Sequence, residues 1–416
     1  MKEPKLRFKA DDGAKFPDWE KNNFSDVFDS INNSTFSRDC LNYVDGNVKY
    51  IHYGDILTIF DSTVNAEASN VPYVNKDIDC QKYQLLADGD IIVADTAEDD
   101  TVGKSVEITN ASNVKMISGL HTIACRPKLK FASGYLGYYM NSNPYHNQLR
   151  PYMQGIKVTS ISKANIALTN VSIPSLLEQQ KIASLFTELD NLIQSAEKEL
   201  DGYRELKQCM LQKMFPKKDE KVPEIRFPEF TGDWEQRKVG NICKTYSGGT
   251  PKSGKSSYYD NGTIPFIRSG EIHNDRTELY ITEDGMNESS AKMVDVGDIL
   301  YALYGATSGE VDISKINGAI NQAILCIKPT TDFDRKFIVE ILRHNKESIL
   351  RTYLQGGQGN LSAQIIQSQI FDFPCLAEQQ RIGEYFSNLD NLITIQQKEL
   401  DGYKEFKKGL LQQMFC

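Results

Sequence analysis

Residues 173–216 read IPSLLEQQKIASLFTELDNLIQSAEKELDGYRELKQCMLQKMFP, and residues 373–416 read FPCLAEQQRIGEYFSNLDNLITIQQKELDGYKEFKKGLLQQMFC. The offset is a constant 200 with no gap, and 24 of the 44 aligned positions are identical. The chain is therefore two similar units in tandem. Each copy has the period of a long helix, with a coiled-coil-like seam. In the first copy the seam is Ile182, Leu189, Leu192, Tyr203, Leu206 and Met210. In the second it is Ile382, Leu389, Leu392, Tyr403, Phe406 and Leu410. One such helix cannot bury its stripe alone, whereas two related ones can pair. Two related units favour an approximate two-fold axis, which makes the helices antiparallel. About 39 residues at 1.5 Å each give a rod of roughly 57 Å. Ser175 and Glu178 have the spacing of a capping box at the first helix start. Gly202 and Gly402 lie mid-helix at equivalent positions, which suggests close helix approach or a bend.

Working outward, Pro4-Lys5-Leu6-Arg7-Phe8 with Trp19 returns as Pro223-Glu224-Ile225-Arg226-Phe227 with Trp234, marking the start of each unit. The charged stretch Pro216 to Lys221 reads as the linker. The expected organisation is a globular domain at 1–172, a helix with linker at 173–222, a second domain at 223–372 and a second helix at 373–416. Between the landmarks the units match faintly: Tyr50 to Ile56 against Phe266 to Ile272, and Gly89-Asp90-Ile91-Ile92 against Gly297-Asp298-Ile299-Leu300. Short β-branched and aromatic runs broken by Gly, Asp and Asn predict strand-rich mixed domains. Short helices are predicted near 132–148 and 333–350. The fold class expected is α+β. The helices stayed alike and the domains diverged, as in a protein that reads two unlike half-sites at fixed spacing.

Composition narrows the function. The 416 residues carry 47 basic and 56 acidic groups, net −9. Residues 1–172 hold 18 basic and 21 acidic groups, net −3, and residues 223–372 hold 16 and 20, net −4. Neither domain is basic, so any DNA affinity needs local patches or a more basic partner. No apolar run reaches the length of a membrane span, and the first residues lack the apolar core of a secretory signal. The eight cysteines form no C-x-x-C pair and the five histidines are isolated from one another, so no metal site is expected. Scattered thiols fit the cytoplasm. Gly249-Thr250-Pro251-Lys252-Ser253-Gly254-Lys255-Ser256 satisfies the P-loop pattern, but no helical stripe follows it, and the first unit has no counterpart. Nucleotide binding remains an alternative on that string, and a coiled-coil scaffold without DNA specificity is another.

With these residues in view, the chain resembles the DNA-specificity subunit of type I restriction–modification systems over nearly its whole length. The resemblance rests on Ser247-Gly248-Gly249-Thr250-Pro251, on Gly262 to Ile272, on Gln358-Gly359-Asn360-Leu361-Ser362, and on Glu378-Gln379-Gln380 repeated at Glu178-Gln179-Gln180. It implies two target-recognition domains, each followed by a long helix, the helices pairing into an antiparallel coiled coil with pseudo-two-fold symmetry. It implies a non-catalytic subunit that reads an interrupted double-stranded DNA target in defence against foreign DNA. Two methyltransferase subunits and restriction/translocase subunits would be its partners. S-adenosylmethionine, ATP and Mg²⁺ would belong to those partners, with no cofactor on this chain. Base edges are read mainly in the major groove by polar side chains. The candidate DNA contacts are His52, Tyr53, Lys104, Gln154, Lys157 and Thr159 in the first domain. In the second they are Thr250, Lys252, Lys255, Arg268, Gln355, Gln358, Asn360 and Ser362. The first domain departs from the pattern, having Thr159-Ser160-Ile161-Ser162 where the second has the Asn-Leu-Ser loop.

Overall fold

The computed structural model describes residues 3–68, 70–155, 157–217, 219–354 and 360–416. The chain divides into two compact units: residues 1–197 with 398–416, and residues 198–397. The repeats form two helices of 38 residues, Leu176–Lys213 and Leu376–Gln413. Each helix contributes one part to one unit and one part to the other.

In the first unit a five-stranded sheet runs Phe28–Ile31, Thr122–Pro127, Ile91–Ala94, Ser105–Thr109, Thr63–Asn65. The strand Ile91–Ala94 is apolar and buried throughout. Side chains alternate across a sheet, so Ile91 and Val93 join one core while Ile92 and Ala94 join another. The first core holds the short helix Tyr135–Met140 and the early turns of Leu176–Lys213. The second faces a four-stranded sheet, Met116–Ser118, Lys49–Ile51, Tyr73–Val74, Leu41–Asn42, whose first pair is parallel.

The second unit repeats this plan. Its main sheet is Cys243–Ser247, Ile324–Pro329, Ile299–Ala302, Val311–Ile313, and Ile299 and Tyr301 face the helical side while Leu300 and Ala302 face the other. The smaller sheet, Tyr280–Ile281, Ile264–Ile267, Gly318–Ile320, Lys292–Val294, again contains one parallel pair. The helices predicted near 132–148 and 333–350 are Tyr135–Met140 with Asn143–Leu149, and Arg335–His344 with Lys346–Leu354.

Within each unit, the start of one long helix packs antiparallel to the end of the other. In the first, Lys407 pairs with Asp190 and Lys404 with Glu197. In the second, Lys207 pairs with Asp390 and Arg204 bonds Gln397. The helix ends enter the cores. Phe415 lies against Trp19, Tyr139 and Phe186. Phe215 lies against Trp234, Phe337 and Phe386.

Several helix expectations change. Ile182, Leu189, Ile382, Leu389 and Leu410 are buried, and Tyr203, Met210 and Tyr403 half-buried, but Leu192, Leu206, Leu392 and Phe406 are exposed. The buried stripe runs instead through Ala196, Leu200, Gln396 and Leu400. A Cβ at Gly202 or Gly402 would meet nothing within 4 Å, so close approach does not explain these glycines. The capping box is half formed: Ser175 accepts from the Glu178 amide, but the Glu178 carboxylate binds Arg7.

That last contact explains the repeated landmarks. Glu178 is fully buried and takes two bonds from Arg7; Glu378, equally buried, takes two from Arg226. The next residues act alike. Gln179 accepts from the Ala132 amide and donates to the Pro174 carbonyl, and Gln379 does the same with Asp334 and Pro374. The Glu-Gln-Gln motif thus locks the helix start to its domain.

Candidate nucleic-acid interface

Three loops meet at one end of each main sheet, held by backbone bonds that recur. In the first unit the Asp95 amide donates to His121 O, and Ile161 donates to Asp95 O. In the second, Leu303 donates to Ala323 O, and Leu361 donates to Leu303 O. Each hub is thus the loop after a central strand, joined to the turn between the two sheets and to the segment that precedes Ser162 or Ser362. Those two serines cap the helices that follow, accepting from Asn165 and Ile365.

In the first unit the strand Thr159–Ser160 pairs with Thr96–Ala97, and Gln154 bridges Ser160. Gln154, Lys157 and Thr159 therefore gather around the hub, with Gln154 and Lys157 exposed. Tyr53 reaches the same place. Its ring meets His121 edge-on at 5.2 Å and lies 4.7 Å from His52. His121, absent from the sequence candidates, is 48% exposed, with Nδ1 3.3 Å from Asp95 Oδ1. A lone histidine in a Gly-Leu-His turn gives no pattern to find.

Two candidates have structural roles instead. His52 is buried and caps the helix Tyr53–Thr58, its Nδ1 accepting from the Gly54 amide; burial, then Arg38, holds its pKa below the usual value. Lys104 closes the other end, donating to Leu57 O and Phe60 O, and burial lowers its pKa. Each satisfies backbone groups that the short helix leaves open.

In the second unit, Thr250 Oγ1 donates to Gln322 Oε1 at 2.6 Å, beside the main-chain bond from Gly249 to Ile320 O. The glycines before it are steric necessities: a Cβ on Gly248 would lie 1.8 Å from Ile320 O, and one on Gly249 would lie 1.9 Å from Ser290 Oγ. The P-loop-like string continues into the three-residue 3-10 turn Ser256–Tyr258, with no helix N-terminus to cradle phosphates. Lys255 lies 4.0 Å from the centre of the Tyr258 ring and pairs with Glu288, while Lys252 is exposed. Arg268 is held by Glu271 and Glu278. Although burial opposes it, the Arg268 contacts and two backbone amides hold Glu271 at about 2. Arg268 is therefore a brace for its turn, as Arg38 is for buried Asp55. Asn360 is exposed, Ser362 is a helix cap, and Gln355 and Gln358 lie outside the described residues.

Among the described residues no group of three or more His, Cys, Asp or Glu is placed to hold a metal, and no helix is long and apolar enough to cross a membrane.

The protein is a duplicated α+β fold whose matching loop frames carry different side chains. The chain belongs to the type I restriction modification DNA specificity family, whose model matches residues 17–202 and 231–402. It is a non-catalytic DNA sequence-recognition subunit; in such systems catalysis resides in partner subunits. It is 27% identical to a Methanocaldococcus jannaschii protein assigned as the MjaX type I restriction enzyme specificity subunit, over 97% of this chain and 94% of that one. The fold is similar to the crystal structure of the type I S subunit from M. genitalium, with a TM-score of 0.63 at 14% identity, covering 100% of this chain and 99% of that one. It is also similar to a chain in a structure concerned with complex assembly and conformational transition of the type I restriction–modification system. There the TM-score is 0.58 at 19% identity, covering 95% and 97%.

Proposed function

We propose that each unit reads one half of an interrupted DNA target, and that the chain carries two methyltransferase subunits, with restriction subunits joining them in the cytoplasm. The observation that carries this reading is the repeated loop frame with unlike side chains: Tyr53, Asp95 and His121 in one unit, Thr250 and Gln322 in the other. One scaffold with two surfaces suits two different half-sites. S-adenosylmethionine, ATP and Mg²⁺ act on the partners, where base flipping and cleavage take place.

The exposed helix residues support two docking positions. Leu192 and Phe406 are exposed in the first unit, and their equivalents Leu392 and Leu206 in the second. A subunit docked on the paired helices would cover these apolar groups. The acidic chain binds DNA weakly and salt-sensitively alone, with phosphate affinity supplied largely by partners. Co-expression with the methyltransferase subunit and genome-wide mapping of N6-methyladenine tests the reading. The expected result is an interrupted, asymmetric motif methylated on both strands and absent without this chain. A stable complex with an active methyltransferase that adds no new methylation overturns it.

A further inference from the structure

Both units leave one turn between the two sheets at the loop hub, and it carries an exposed polar side chain braced by a neighbour. In the first unit this turn is Gly119 to His121, between Met116–Ser118 and Thr122–Pro127. In the second it is Asn321 to Ala323, between Gly318–Ile320 and Ile324–Pro329. His121 adopts a left-handed backbone, φ 53°, uncommon outside glycine. Its Nδ1 faces Asp95 Oδ1, while Asp95 also accepts from Thr96. The Tyr53 ring supports the imidazole edge-on, leaving Nε2 as the ring atom without a partner among the described residues. Gln322 is exposed; its Oε1 is engaged by Thr250, and its amide NH₂ has no partner among the described residues.

We infer that this turn is a base-reading element of each unit, with His121 reading one half-site and Gln322 the other through hydrogen bonds to base edges. The inference rests on the proposed two-part recognition and adds the residues that set its specificity. Two features favour reading over a structural role. Each side chain keeps a free polar edge in solvent, and each is held by neighbours that lower the entropy lost on contact. Asp95 and Thr250 are the positioning residues, the first beside the imidazole Nδ1 and the second bonded to the Gln322 amide oxygen.

The test uses the intact chain in complex with its methyltransferase subunits and maps methylated sites across a genome. His121→Ala should spread methylation to sites that differ from the wild-type motif at one position of one half-site. The gain there should be about tenfold or more, as expected for loss of one base contact. His121→Asn, a residue type that tolerates left-handed backbone, should relax the same position. Gln322→Ala should relax one position of the other half-site only. Asp95→Asn and Thr250→Val should weaken discrimination at the positions set by His121 and Gln322. Unchanged motifs at wild-type rates overturn the assignment, as does relaxation of the same half-site by both variants. Wild-type complex that methylates without any motif overturns the recognition role itself.

Discussion

Arg7 and Arg226 show how a single side chain can mark a unit. Each reaches a fully buried glutamate about 150 or more positions away in sequence, and each uses two nitrogens to do so. Removing one partner of such a pair leaves an uncompensated buried charge, costing about 3 kcal/mol. The chain has two tryptophans, Trp19 in the first unit and Trp234 in the second, so fluorescence can follow each unit once the other is replaced by Phe. Arg7→Ala should lower the urea midpoint seen by Trp19, and Arg226→Ala that seen by Trp234. Glu107 gives a pH prediction. Burial pushes its pKa from the usual 4.5 up to about 7, against the Gly134 and Gly137 amides that favour the charged form. A carboxyl raised in the folded state holds its proton more tightly there than in the unfolded chain. Its contribution is therefore present below pH 4.5 and lost as pH rises through 7. That span corresponds to at most about 3 kcal/mol. Urea midpoints reported by Trp19 should fall between pH 5 and pH 8, and Glu107→Gln should flatten that fall.

At the scale of elements, the helix ends behave against their position in the chain. Phe415 closes the first core although it ends the second helix, and Phe215 closes the second core although it ends the first. Phe415→Ala should cost about 3–5 kcal/mol and move the Trp19 transition while leaving that of Trp234. Phe215→Ala should do the reverse. Assigning each helix to the domain before it predicts the opposite pattern, so unfolding of the two single-tryptophan chains decides between them. The helices themselves were legible because a 3.6-residue period is local information. Which side of the stripe stays buried was not: Leu192 and Leu206 fit a seam as well as Ala196 and Leu200 do, and packing against a partner helix decides between them.

For the whole molecule, the reciprocity of contacts has a consequence for half the chain. Asp190 with Lys407 and Asp390 with Lys207 are the same pair written twice, as are Phe186 with Phe415 and Phe386 with Phe215. A fragment of residues 1–216 lacks residues 398–416 of the first unit but carries their equivalents in its own tail. Two copies should exchange tails, form a dimer in sedimentation equilibrium, and recognise a palindromic version of the first half-site. Phe215→Ala in that fragment should weaken the dimer, and a well-folded monomer would count against helix exchange. The sequence by itself determined the duplication, the two long helices, the strand-rich domains and the family resemblance, because repeats and periodicity are written in neighbouring residues. Only the tertiary structure decided that His52 and Lys104 cap a helix, that Glu178 holds Arg7, and that His121 stands exposed beside Tyr53 and Asp95. A polar side chain takes its role from the partner that reaches it, and here nearly every decisive partner lies far away along the chain.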